Sequence, residues 1–172
     1  REGDDSYFFS NYMFVWGWAS WKRAWKSYDF ELKDLETFKN TNSISKIDKR
    51  EIFKNYWINI FEEVSNKKID TWDYQWVFSI WNNQGKTIIP YKNLISNIGF
   101  GENATHTTVS SPFENLVSIE MGVINHPESI VINRKAQRHI SDTVFKIRKK
   151  KKTIFRRPYI IKKLLKSLRI IK

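Results

Sequence analysis

The sequence predicts an α/β chain, and three observations carry that prediction. Ile52, Phe53, Tyr56, Trp57, Ile60, Phe61 and Val64 recur at intervals of three and four, the spacing of a single helix face. Residues 7–16 and 87–98 are rich in aromatic and β-branched side chains and are punctuated by Gly or Pro, as strands are. Eight tryptophans among 172 residues supply enough bulk for one core of ordinary domain size.

Taken in order, residues 7–16 predict a strand running into Gly17, whose freedom at φ lets the backbone turn tightly or approach a ligand. Ser20 is placed to start a helix with Trp21, Ala24 and Trp25 on one face and Lys22, Arg23 and Lys26 on the other. Tryptophans at 16, 18, 21 and 25 are more than a short helix needs for burial. Residues 37–47, rich in Asn, Ser and Thr, predict a loop. Asp48 and Glu51 have capping-box spacing and open the strongly periodic helix, which is scaffold. Residues 87–89 and 94–98 predict two short strands around Pro90, and residues 118–132 a further pair around 125–127. Between them lies a polar loop, 99–108, that carries His106.

Residues 69–81 join a helix start, two carboxylates and three tryptophans within thirteen positions. Asp70 or Thr71 is expected to cap the first turn, Val77, Ile80 and Trp81 form an apolar stripe, and Gly85 is a stop signal, predicting a helix over 71–84. Asp73 then falls on the first turn, beside unpaired backbone N–H groups and the positive end of the helix dipole. Its carboxylate either completes the cap or is available for chemistry.

The net charge of +12 is unevenly spread. Residues 1–133 hold 14 basic and 17 acidic side chains; residues 134–172 hold 16 basic and one acidic. Positive charge is thus a C-terminal property. In residues 159–172, Ile161, Leu164, Leu165, Leu168 and Ile171 share one helix face, with Lys162, Lys163, Lys166 and Arg169 opposite. Such a basic amphipathic helix either lies on an anionic membrane surface or packs on its own domain or a partner. Aromatic residues sit in the body and basic ones in the tail, so the interleaving expected of a nucleic-acid groove is missing. With no cysteine, disulfides, thiolate metal sites and cysteine nucleophiles are excluded. No apolar run approaches the ~18 residues of a membrane span, and residues 1–6 lack the apolar core of a signal peptide.

Three segments carry a resemblance: Phe14-Val-Trp-Gly-Trp-Ala-Ser-Trp-Lys-Arg-Ala-Trp25, Asp70-Thr-Trp-Asp-Tyr-Gln-Trp76, and Asn97-Ile-Gly-Phe-Gly-Glu-Asn-Ala-Thr-His-Thr107. In order and spacing they are similar to the C-terminal, acceptor-side half of bacterial nucleotide-diphospho-sugar transferases, A-type-fold glycosyltransferases in or near family two. The resemblance covers residues 7–108. It implies a partial A-type fold over 1–133, followed by a basic helical extension over 134–172. It also implies inverting transfer of a sugar from a nucleotide-diphospho-sugar donor to a glycan or lipid-linked acceptor, as in bacterial polysaccharide and cell-envelope synthesis. In that scheme Asp73 is the base, Trp16, Gly17 and Trp18 lie beside donor or acceptor, Trp72 forms the acceptor wall, and His106 sits on the diphosphate or metal side. Gln75 and Trp76 are similar to the Gln and Trp of the family-two Gln-x-x-Arg-Trp motif, although the spacing differs and no Arg is present. Enzymes of this kind use a divalent cation, Mg²⁺ or Mn²⁺, held by an Asp-x-Asp motif in a preceding nucleotide-binding half. No Asp-x-Asp occurs here, and Asp4-Asp5 is a poor substitute. The expectation is therefore a fragment, inactive without that half, cytoplasmic and peripheral at the inner membrane face. The competing class is a non-catalytic membrane-peripheral or partner-binding module.

Overall fold

The computed structural model describes residues 4–97 and 116–148, a mixed α/β arrangement that is mostly helical. A two-stranded antiparallel sheet pairs β1 (Tyr7–Ser10) with β2 (Thr87–Pro90), with Phe9 opposite Ile88. Helices α1 (Lys22–Trp25), α2 (Leu35–Asn40), α3 (Glu51–Ser65) and α4 (Asp73–Asn82) lie between the strands in sequence, and α5 (Arg134–Thr143) follows. Nothing in this arrangement specifies an A-type glycosyltransferase fold.

The core is where α3 meets α4. Phe53, Trp57, Phe61 and Val64 are buried from α3, as the periodicity requires, and Val77, Phe78, Ile80 and Trp81 from α4. The Trp57 and Trp81 rings meet edge to face with centroids 4.8 Å apart, and Phe61 meets Phe78 at 5.4 Å. Aromatic contacts of this kind add about 0.5–1.5 kcal/mol each beyond burial. The sheet is tied to this core by the Trp81 indole, which donates to the Asn11 carbonyl at 2.8 Å, and by the Thr87 hydroxyl, which donates to the Ser10 carbonyl at 3.0 Å.

Helix ends differ from the sequence prediction. Arg50, not Asp48, occupies the N-cap position of α3 and offers no side-chain cap; Asp48 instead accepts from the Arg50 backbone and guanidinium. Trp72, not Asp70 or Thr71, occupies the N-cap position of α4, so the helix is shorter than 71–84. Its C-terminus is a Schellman turn: Gln84 takes φ +53°, Gln84 N–H bonds the Trp81 carbonyl, and Gly85 N–H bonds the Ile80 carbonyl. Gly85 is thus one residue beyond the left-handed position.

Four further expectations are corrected. The strand over 7–16 ends at Ser10, and Phe14 and Trp16 are exposed. The helix expected to start at Ser20 is one turn only, with Trp21 at its N-cap. The expected loop over 37–47 contains the end of α2 and a 3-10 turn, Ser43–Lys46, because Leu35, Phe38, Ile44 and Ile47 are buried at spacings hidden by polar neighbours. Residues 94–97 and 118–132 form no regular strand; their one ladder contact is an isolated parallel bridge between Phe9 and Ile132. Part of the second expected strand, 94–98, extends outside the described residues.

The change of charge at Arg134 brings no break in packing. Gln137, Ile140 and Ser141 of α5 are buried, Gln137 accepts from the Asn11 backbone N–H at 3.0 Å, and Asn133 caps the helix by accepting from Ala136 N–H. The basic tail over 159–172 lies outside the described residues.

Candidate functional site

The loop between β1 and α1 meets the N-terminus of α4 in a cluster of indoles. Trp18 lies 5.3 Å from Trp72 and 5.6 Å from Trp25, and Trp25 lies 6.5 Å from Trp72, closing a triangle of rings. Trp76 forms its floor, 4.9 Å from Trp25 and 6.4 Å from Trp18, and Tyr28 stacks on Trp25 at 4.5 Å. Exposure separates this cluster from the core. Trp18, Trp25 and Trp72 are 36–40% exposed, whereas Trp57, Trp76 and Trp81 are at most 4%. Phe14, Trp16 and Trp21 on the same loop are also exposed, and the Arg23 guanidinium lies 5.1 Å from the Trp21 ring centroid. A monomer rarely leaves so many large apolar faces in water without a use for them.

Gly17 makes the loop possible. It takes φ +62°, and a Cβ there would come within 2.5 Å of Ile95 Cγ2. Its close approach is therefore to a neighbouring side chain, between the two tryptophans it separates.

Asp73 opens α4 directly after Trp72 and is half-buried. Its Oδ1 accepts from Tyr74 N–H at 2.8 Å and from the Thr71 hydroxyl, so one carboxylate oxygen is fixed on the first turn. The Tyr28 hydroxyl donates to the Trp72 carbonyl at 3.2 Å. Burial, followed by the negative charges of Asp73 and Asp29, pushes that hydroxyl above the ordinary tyrosine value; burial and Asp73 do the same to Tyr74. Both phenols therefore remain protonated donors at neutral pH.

Of the sequence-predicted residues, the structure brings together Trp18, Trp72 and Asp73, with Gly17 supporting Trp18. Trp16 is exposed on the adjoining loop. Gln75 is not available to a ligand: it is 3% exposed, and its Nε2 donates to the Thr71 carbonyl at 2.6 Å. His106 lies outside the described residues. Trp25 and Tyr28 complete the cluster without having been assigned to it by sequence. The surplus of tryptophans near Trp25 pointed to the first; nothing in the local pattern points to Tyr28. Among the described residues no group of three or more His, Asp or Glu side chains is placed to hold a metal ion, and no helix is long and apolar enough to cross a membrane. No family model, curated protein or solved structure matches the chain.

Proposed function

We propose that this chain is the acceptor-side half of an inverting glycosyltransferase and that the indole triangle is where the acceptor glycan rests. The observation that carries this reading is the adjacency of Trp72 and Asp73, with Trp72 in ring contact with Trp18. Indole faces offer the flat apolar surface that suits the C–H face of a sugar ring. A carboxylate at their edge is the group such a reaction requires.

In the reaction, an acceptor hydroxyl oxygen attacks the anomeric carbon of the donor, and its proton passes to Asp73 Oδ2. The bond from that carbon to the diphosphate oxygen breaks, and its electron pair leaves with the nucleoside diphosphate. Fixing Oδ1 through Tyr74 N–H and the Thr71 hydroxyl orients Oδ2 before the acceptor arrives. The donor sugar nucleotide and its divalent cation belong to a nucleotide-binding half, and His106 to the diphosphate side. Acceptors are glycans or lipid-linked sugars, which places the protein with bacterial envelope polysaccharide synthesis at the cytoplasmic membrane face.

The test is titration of the chain with a panel of hexose oligosaccharides while intrinsic tryptophan fluorescence is followed. Saturable change is expected with some members of the panel, and it should be lost in Trp18→Ala. A flat response across the panel would overturn the acceptor assignment. A module that only binds would share this response and differ at Asp73, whose loss would then affect nothing catalytic.

A further inference from the structure

A second surface lies where the 3-10 turn meets α5. Here a groove of about 390 Å³ is lined by Lys46, Lys49, Arg134 and Arg138, among others. Its shape is fixed from below. The Ile47 carbonyl accepts from Arg134 Nη1 at 3.0 Å and from the buried Gln137 Nε2 at 3.1 Å, locking turn and helix together. The one acid in the lining, Asp48, accepts from Arg50 Nε at 2.8 Å and from Nη2 at 2.6 Å. Its charge is already balanced. Lys46 and Lys49 form no ion pair among the described residues, so the groove presents unneutralised positive charge.

We propose that this groove seats the phosphates of anionic phospholipids, so that the domain itself contacts a membrane surface beside its basic tail. Two facts favour a lipid surface over other polyanions. The helix forming one wall leads into the segment that holds almost all of the excess positive charge. The groove lining contains no aromatic side chain, so it has nothing on which nucleic-acid bases could stack. The proposal stands independently of glycosyl transfer.

The experiment is co-sedimentation of the full chain with phosphatidylglycerol vesicles at physiological ionic strength. The parent is compared with Lys46→Glu/Lys49→Glu and with Lys67→Glu/Lys68→Glu. Both doubles change the net charge equally and alter exposed side chains. The control pair follows the C-terminus of α3, about 22 Å of helix from Lys49, well beyond the ~8 Å screening length. With each basic residue near the surface worth roughly a factor of five in partitioning, the groove double should bind at least about tenfold more weakly. The control should stay within about threefold of the parent. Equal losses in the two doubles, no loss in the groove double, or undiminished binding to neutral phosphatidylcholine vesicles would each overturn the proposal. In a second arm, inorganic pyrophosphate is titrated at constant ionic strength. If it protects Lys46 and Lys49 from chemical labelling while vesicle binding is insensitive to both lysines, the groove takes a soluble phosphate and the membrane assignment fails.

Discussion

Replacing Arg50 by Met should cost about 2–3 kcal/mol of folding stability, because this one guanidinium joins three segments. It contacts both oxygens of Asp48, reaches Asp142 Oδ1 at 2.7 Å and the Ser141 hydroxyl at 2.8 Å, and donates to the Ile147 carbonyl at 3.0 Å. Side-chain exposures of 17% for Arg50, 16% for Asp48 and 29% for Asp142 place the network between a surface pair, worth about 0–1 kcal/mol, and a fully buried one, which costs about 3–5 kcal/mol to break. For a chain of this size the loss corresponds to a fall in Tm of about 4–12 °C. The pH dependence is the sharper signature. Burial works to raise the Asp48 and Asp142 values, but hydrogen bonds from Arg50 outweigh it and hold both below the ordinary carboxylate value. A carboxylate depressed in the folded state stabilises above its unfolded value of about 3.9, and the contribution is lost as pH falls through the folded value. Urea unfolding of parent and Arg50→Met should therefore show a full gap at pH 7 that closes below about pH 4. A gap under 0.5 kcal/mol at pH 7, or one that persists unchanged to pH 3, would refute the network's role.

Asp73→Asn, made in the protein with its nucleotide-binding half, should cut turnover by about 10²–10⁴ with little change in donor affinity, as measured by steady-state kinetics. Asn keeps an oxygen for Tyr74 N–H, so unfolding midpoints should barely move, and unchanged turnover would return Asp73 to capping alone. Tyr12→Phe should be neutral or slightly stabilising in thermal melts: the hydroxyl is buried with no partner at hydrogen-bond geometry, although Ser141 and Trp57 lie nearby, and burial pushes its pKa up to about 12. Trp72→Asp should keep stability within about 1 kcal/mol of the parent while abolishing oligosaccharide-induced fluorescence change, since a new N-cap offsets the lost ring contacts.

Long-period features were legible in the sequence and local ones less so. The burial of Phe53, Trp57, Phe61 and Val64 follows from spacing alone, because a fifteen-residue helix gives the periodicity several turns in which to show. Helices of four and six residues do not, so α1 was misplaced by two residues and α2 was hidden in a polar run. The strand over 7–16 failed for a different reason: its aromatic composition reflects the exposed cluster as much as pairing. At the site, Trp72 and Asp73 were legible because they are adjacent in the chain. Tyr28, which reaches the Trp72 carbonyl across 44 residues, was not, since only folding brings it there.

Trp72 is where local and global demands conflict. The N-cap position favours Ser, Thr, Asp or Asn, whose side-chain oxygen takes up a backbone N–H, and a substitution that removes such a cap costs about 1 kcal/mol. An indole supplies no acceptor, and α4 has no cap from this residue. Asp73 takes over part of the task by accepting from Tyr74 N–H, and Gln75 donates to the Thr71 carbonyl from within. The chain thus holds an apolar ring at 40% exposure in a position that helix stability would give to a polar residue. Core packing does not explain the choice, because Trp76 already fills the space beneath at 4% exposure. Nor does the helix dipole, which favours the carboxylate one residue later. What the indole at 72 contributes is the third side of the triangle with Trp18 and Trp25, immediately next to Asp73. A local rule broken with the surrounding residues compensating for it is the pattern expected of a site kept for function.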